Sequence, residues 1–162
     1  MRYKARVPDD ETAALWGELE PVIGNLGFSL VELTVFRQGK RGSVSAQIRL
    51  IVTGGQGTAA KAGLGTEDLS RIHRTVLPRL ELVMESRDLY VEVSSPGTDR
   101  VIKEGAEFRN YQGRQIKCWM TGANDWERGV LCGSDEEKIL LKTEEGEKEL
   151  MYETMAKARL NG

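Results

Sequence analysis

Apolar positions in the first third of the chain follow a helical period and then an alternating one. Leu15, Leu19, Val22, Ile23 and Leu26 recur at helical spacing and form one stripe, with Asp9 and Asp10 placed to cap the helix. Pro21 lies within this stretch, where its ring and missing N–H predict a kink or a division, and Gly27 is placed to end the helix. The period then drops to two. Phe28 to Phe36 reads as a strand with Val31, Leu33 and Val35 on one face. Residues 38–42 supply a hairpin turn, and Val44, Ala46, Ile48, Leu50 and Val52 alternate along the returning strand. Thr66, Glu67 and Asp68 open a second helix with Leu69, Ile72, His73, Val76, Leu77 and Leu80 along one side, and Pro78 predicts its end or a kink. Leu89 to Ser94 is a further strand. The order helix, strand, strand, helix, strand describes a small α/β sandwich, a sheet covered by helices.

After Arg100 the texture changes to short strands, Gln115 to Met120, Trp126 to Leu131, Lys138 to Thr143 and Lys148 to Tyr152, parted by turns at 121–125, 133–135 and 144–146. Closely spaced strands with tight hairpins predict a small antiparallel barrel, which removes sheet edges by closing on itself. Glu153 to Leu160 reads as a helical turn closing one end. Trp119 and Trp126 flank the first hairpin and read as core or rim aromatics rather than a base-stacking platform, because basic residues are sparse beside them in sequence. The fold class is therefore α+β: an N-terminal α/β domain over 1–95, a junction at 96–102 and a C-terminal barrel over 103–162.

Composition narrows the class. The chain has 162 residues, 40% hydrophobic and 30% charged, without an apolar run approaching the ~20 residues that span a bilayer. Its opening, MRYKARVPDDE, lacks the apolar stretch of a signal peptide, so a cytoplasmic protein without a membrane partner is expected. Cys118 and Cys132 have no CxxC spacing and no nearby His, and read as buried strand cysteines rather than zinc ligands or a disulfide. No cofactor or metal is expected. Net charge is −2, which argues against a surface that is wholly a nucleic-acid footprint. The charge is uneven, however. Asp135 to Glu153 carries eight acids against three lysines. Such a run is either a solvated hairpin or a docking surface for a basic partner, since complementary fields steer association.

Two motifs invite an enzymatic reading. Gly54 to Gly65 holds five glycines and fits a relaxed GxGxxG/A pattern after a strand. A dinucleotide site also needs a helix opening directly on the loop, and Gly63 and Gly65 interrupt one; no Walker lysine is present, so the stretch reads as a flexible loop. His73, the only histidine, has no nucleophile or carboxylate placed by sequence to orient it and reads as a packed or boundary residue. No catalytic residue is assigned. The remaining motif, Val93 to Arg100, reads VSSPGTDR. Proline pushes Ser95 toward extended backbone, Gly97 permits a turn, and Arg100 offers a planar fork of donors. Ser94, Ser95, Pro96, Gly97, Asp99 and Arg100 are thus candidates for setting the geometry of the junction, with Asp99 and Arg100 as a polar clamp across it.

Glu92 to Arg100, EVSSPGTDR, resembles the E-V-S-S-P-G-x-D-R signature of the bacterial ribosome maturation factor family RimP. Glu20-Pro21-Val22 followed by Leu26-Gly27-Phe28-Ser29-Leu30 is similar to the family's E-P-V and L-G-[YF]-x-L opening. Tyr111-Gln112-Gly113-Arg114 with Ile116 resembles its first barrel strand, and Ala156 to Leu160 its closing K-A-R-L. The chain departs in reading Asp99-Arg100-Val101-Ile102 where D-R-P-L is usual, in Thr98 where leucine is common, in lacking an aspartate after Val52, and in its long glycine-rich loop.

The resemblance implies a C-terminal Sm-like or SH3-like barrel and a non-enzymatic, monomeric factor for assembly of the small (30S) ribosomal subunit. It further implies that the barrel binds the ribosomal protein numbered twelve in that subunit, with contact to immature ribosomal RNA. The acidic run suits a basic partner, with Asp135, Glu136, Glu137, Glu144, Glu145 and Glu147 as candidate docking residues. The alternative is an RNA-binding module acting through the α/β domain, with Arg37, Lys40, Arg41, Arg71, Arg74 and Arg79 as candidate phosphate contacts.

Overall fold

The protein is described by a computed structural model over residues 1–4, 7–40, 43–54 and 64–161. Two units emerge, Pro8–Ser95 and Met1–Val7 with Pro96–Gly162. The predicted division kept residues 1–95 together. The first residues instead join the second unit, where the carbonyls of Arg2 and Tyr3 accept from the N–H groups of Gly105 and Ala106 at 2.9 and 2.8 Å.

In the first unit, α1 (Asp10–Asn25) is capped by Asp9, whose Oδ1 accepts the Thr12 N–H at 2.7 Å. The helix buries Leu15, Leu19 and Ile23 and runs as one element through Pro21, against the expected break. Pro21 and Gly17, one turn earlier, are both exposed, so the Gly17 carbonyl that loses its partner faces solvent. Gly27 follows with φ +91°, a left-handed value that glycine adopts without strain. β1 (Phe28–Lys40) then pairs antiparallel with β2 (Ser43–Gly54).

A bulge between Leu30 and Glu32 shifts the phase of β1. As a result Phe28, Leu30, Leu33 and Val35 join the core cluster, and Val31, although buried, falls outside it. The simple alternation expected from Val31 to Val35 is corrected at that residue. β3 (Leu89–Ser94) lies parallel to β2, giving the order β1-β2-β3. A parallel pair needs a crossover, and α2 (Thr66–Met84) supplies it.

Ile72, Val76 and Leu80 of α2 are fully buried. Each such side chain contributes roughly 1.5–3 kcal/mol, which together outweighs the ~3 kcal/mol cost of an interior proline. α2 accordingly continues through Pro78, which is exposed, and ends at Glu85 with φ 50°. His73 is half-buried with Nε2 3.0 Å from the Val91 carbonyl oxygen, a packed boundary residue as its position in the stripe predicts.

The second unit contains β4 (Val101–Ile102), a 3₁₀ helix (Gly105–Tyr111), β5 (Gln115–Met120), β6 (Asp125–Ser134), β7 (Lys138–Thr143), β8 (Gly146–Met151), a 3₁₀ turn (Tyr152–Thr154) and β9 (Met155–Leu160). The strands form one antiparallel sheet in the order β4-β9-β5-β6-β7-β8. The final stretch is therefore a strand and not a closing helical turn; only 152–154 are helical. Met155, Ala158 and Leu160 are buried while Ala156 and Lys157 are exposed, which seats β9 between β4 and β5. Inward positions Ile116, Cys118, Leu131, Ile139, Leu141 and Ala158 are buried together with Phe108 and Tyr111. Cys118 is buried as expected, and burial pushes its thiol up to about 12. Cys132 is exposed, which corrects its reading as a buried residue. Gly129 permits close strand approach, since a Cβ there would stand 2.6 Å from the Lys142 carbonyl oxygen.

Candidate functional site

The signature loop begins where β3 ends at Ser94. Ser95, Gly97, Thr98 and Asp99 are exposed, and Pro96 is half-buried. The Arg100 N–H donates to the Gly97 carbonyl at 3.2 Å and closes a tight turn. Gly97 is not among the glycines with positive φ, so this turn does not use glycine's left-handed freedom. Arg100 is held from two directions. Its carbonyl accepts the Leu160 N–H at 3.0 Å, and its guanidinium donates through Nε and Nη2 to both oxygens of Glu107, each at 3.0 Å. The two side chains are only 9% and 7% exposed. Glu107 also accepts from the Lys103 N–H at 3.3 Å and the Tyr111 hydroxyl at 3.5 Å. Burial raises the Tyr111 phenol well above its ordinary value, so it stays a donor to this carboxylate. The fork expected to clamp the junction is bonded to a glutamate seven residues downstream that sequence reading did not single out. Its signal was faint: Phe108 and Tyr111 recur three apart, the period of a 3₁₀ helix.

The acidic candidates cluster at two turns of the same sheet. Between β6 and β7, Asp135 Oδ1 accepts the N–H groups of Glu137 and Lys138 at 2.8 and 2.9 Å, which holds its carboxyl below the usual range. Asp135 therefore shapes the turn, and Glu136 and Glu137 project from it, exposed. Between β7 and β8, Glu144 and Glu145 are exposed, with Glu147 just inside β8. Lys148 pairs with Glu145 at 3.1 Å and Lys138 with Glu149 at 2.9 Å, leaving Glu136, Glu137, Glu144 and Glu147 outside the ion pairs of the described residues.

The basic candidates of the first unit are less uniform. Arg37 is paired with Glu11 and Arg79 with Glu18 at 2.6 Å, so their charges are partly answered. Arg71 and Arg74 are exposed on α2, and Arg74 lines a shallow hollow with Thr66, Leu69, Ser70, His73 and Val93. Lys40 ends β1. Arg41 and the loop residues 55–63 lie outside the described residues.

Register assembles one group that linear sequence conceals. Trp119 on β5 stands opposite Trp126 on β6, with ring centroids 5.5 Å apart at 77°. The Nζ atoms of Lys117 and Lys157 lie 5.1 and 5.4 Å from the Trp126 ring centroid. Basic residues sparse along the chain are therefore gathered at the tryptophans by pairing of β5 with β6 and β9, which corrects the reason for discounting that pair. Among the described residues no group of acids, histidines or cysteines is arranged to hold a metal ion, and no helix is long and apolar enough to cross a membrane.

Charged turns, a buried salt bridge anchoring a loop and an aromatic–cationic strand face are carried by a two-unit α+β protein. The model of the RimP N-terminal domain matches residues 18–99, just over half the chain. Proteins named ribosome maturation factor RimP from Borrelia turicatae, Borrelia recurrentis and Borrelia garinii are 26%, 27% and 28% identical over 151 residues, covering 93% of this chain and 96% of each relative. The chain belongs to the RimP family of ribosome maturation factors.

Proposed function

We propose that this protein is a non-enzymatic, cytoplasmic assembly factor for the small ribosomal subunit that holds one of that subunit's basic ribosomal proteins on the acidic turns of its second unit. The observation that carries the reading is the exposed set Glu136, Glu137, Glu144 and Glu147, at the turns on the two ends of β7 in a chain of this family. A negative field of this kind speeds encounter with a cationic partner and penalises anionic ones. Membership of the family supports ribosome maturation as the setting, an Sm-like or SH3-like closure of the second unit, and a monomer. The sequence-based division at 96–102 is proposed as the junction, with Ser94 to Arg100 setting its geometry and Arg100 fixing the loop to the second unit through Glu107.

Calorimetric titration of the purified chain with the recombinant basic ribosomal protein tests this. Binding should be saturable at low salt and weaken as salt rises, because exposed charges are screened within ~10 Å at 0.1 M. Reversing two charges, Glu136→Lys with Glu144→Lys, should weaken it at least tenfold. Absence of binding at low salt would refute the assignment.

A further inference from the structure

We propose that the outward face of β9, β5 and β6 is a binding site for single-stranded RNA. The face is built from two cross-strand rows. Arg159, Lys117 and Arg128 stand in register across β9, β5 and β6, and Lys157, Trp119 and Trp126 form the adjacent row. Their sequence neighbours Ile116, Cys118 and Met120 on β5 and Ala158 on β9 are buried, as is Gly129, which stands opposite Ile116 on β6, so the six side chains leave the sheet on its other side. Three strands place them across roughly 10 Å.

None of these four cations forms an ion pair with a described residue, in contrast to Lys138 and Lys148 of the same sheet. In a chain of net charge −2, four cations outside the ion pairs of the described residues on one face are a localised positive field rather than a reflection of overall charge. The tryptophans select among anions. A phosphate cluster alone needs only cations, whereas an indole with two ammonium groups beside it offers a π-face on which a base can stack while the ammoniums transfer to flanking phosphates. Duplex RNA keeps its bases stacked inside and cannot use the rings. Unpaired nucleotides satisfy both halves of the site.

The inference deepens the assembly-factor reading by naming an RNA class and its site, but binding to a synthetic oligonucleotide requires neither ribosome nor ribosomal protein. Its failure is therefore distinguishable from failure of that reading. The probe is a labelled oligouridylate of about 12 nucleotides, within the ~4–16 nucleotides that an OB fold covers. Binding to the full chain is followed by anisotropy and tryptophan quenching over a salt series.

Four phosphate contacts predict a slope of log K on log salt near −3, from about −0.7 per contact on single strands. Lys117→Gln with Lys157→Gln should reduce its magnitude by about 1.4. Trp126→Leu should weaken binding roughly 5- to 100-fold, as stacking contributions allow, with little change in slope. Far-ultraviolet circular dichroism confirms that each variant is folded, and the lysine pair, on the surface, carries the test if Trp126→Leu is not. Arg71→Gln with Arg74→Gln should leave affinity unchanged. The proposal is overturned by absence of binding in dilute buffer, by equal affinity for a duplex of the same length, or by loss of binding on changing Arg71 and Arg74 but not the lysines.

Discussion

Glu107 illustrates how one side chain can decide the fate of a loop. Removing a carboxylate and a guanidinium from water costs several kcal/mol for each ion, and only close, well-directed bonding returns it. Here two bonds of 3.0 Å run between the planar groups, while the Lys103 N–H and the Tyr111 hydroxyl serve the remaining lone pairs. Deleting the acid alone leaves Arg100 charged and buried. Glu107→Ala should therefore destabilise the second unit by about 3–5 kcal/mol in urea unfolding. Adding Arg100→Ala should cost less than the two separate losses summed, because the pair is one interaction. A loss under ~1 kcal/mol for Glu107→Ala would mean that water reaches the pair. Arg100 was conspicuous in sequence through its motif; its partner was not, because residues 105–111 follow neither the strand period nor the α-helical one.

Helices and hairpins depend on short-range carboxylates whose effect can be titrated. The Thr12 N–H holds the Asp9 carboxyl below its ordinary 3.8, as the Glu137 and Lys138 N–H groups do for Asp135. A lowered folded pKa means stabilisation that is complete above the unfolded value and disappears as pH falls through the folded one. At pH 7, Asp9→Ala should unfold at lower urea than the parent, and the gap should close as pH is taken below 3.8. A gap independent of pH would show that the charge is not involved. The cap was legible in sequence, as were the core stripes of α1, β2 and α2 and the bounds of β5 and β7, because each rests on local periodicity. What escaped was set by tertiary context. Both prolines are tolerated because they face solvent, Val31 leaves the expected face at a bulge, and 155–160 becomes a strand because β4 and β5 offer it two partners. The grouping of Lys117, Lys157 and Trp126 follows from register between strands distant in the chain, which linear spacing does not encode.

At the scale of the molecule, a net charge of −2 conceals separated poles. Within one six-stranded sheet the acids occupy the turns at the two ends of β7, while Arg159, Lys157, Lys117, Arg128 and the tryptophans occupy β9, β5 and β6. Like charges repel over the same range in which opposite charges attract, so a cationic protein is disfavoured on the second surface and a polyanion on the first. Assembly of a ribonucleoprotein requires handling both components at once, and a sheet divided in this way can hold each apart from the other. The expected outcome is a ternary complex. In sedimentation of a labelled oligouridylate, the chain should bring the basic ribosomal protein along without displacement of either. The variant Glu136→Lys with Glu144→Lys should keep the RNA and lose the protein, which also excludes a complex bridged only by RNA. Competition between the two ligands for the unaltered chain would instead mean that they share one surface, and the division of charge across the sheet would then have no part in function.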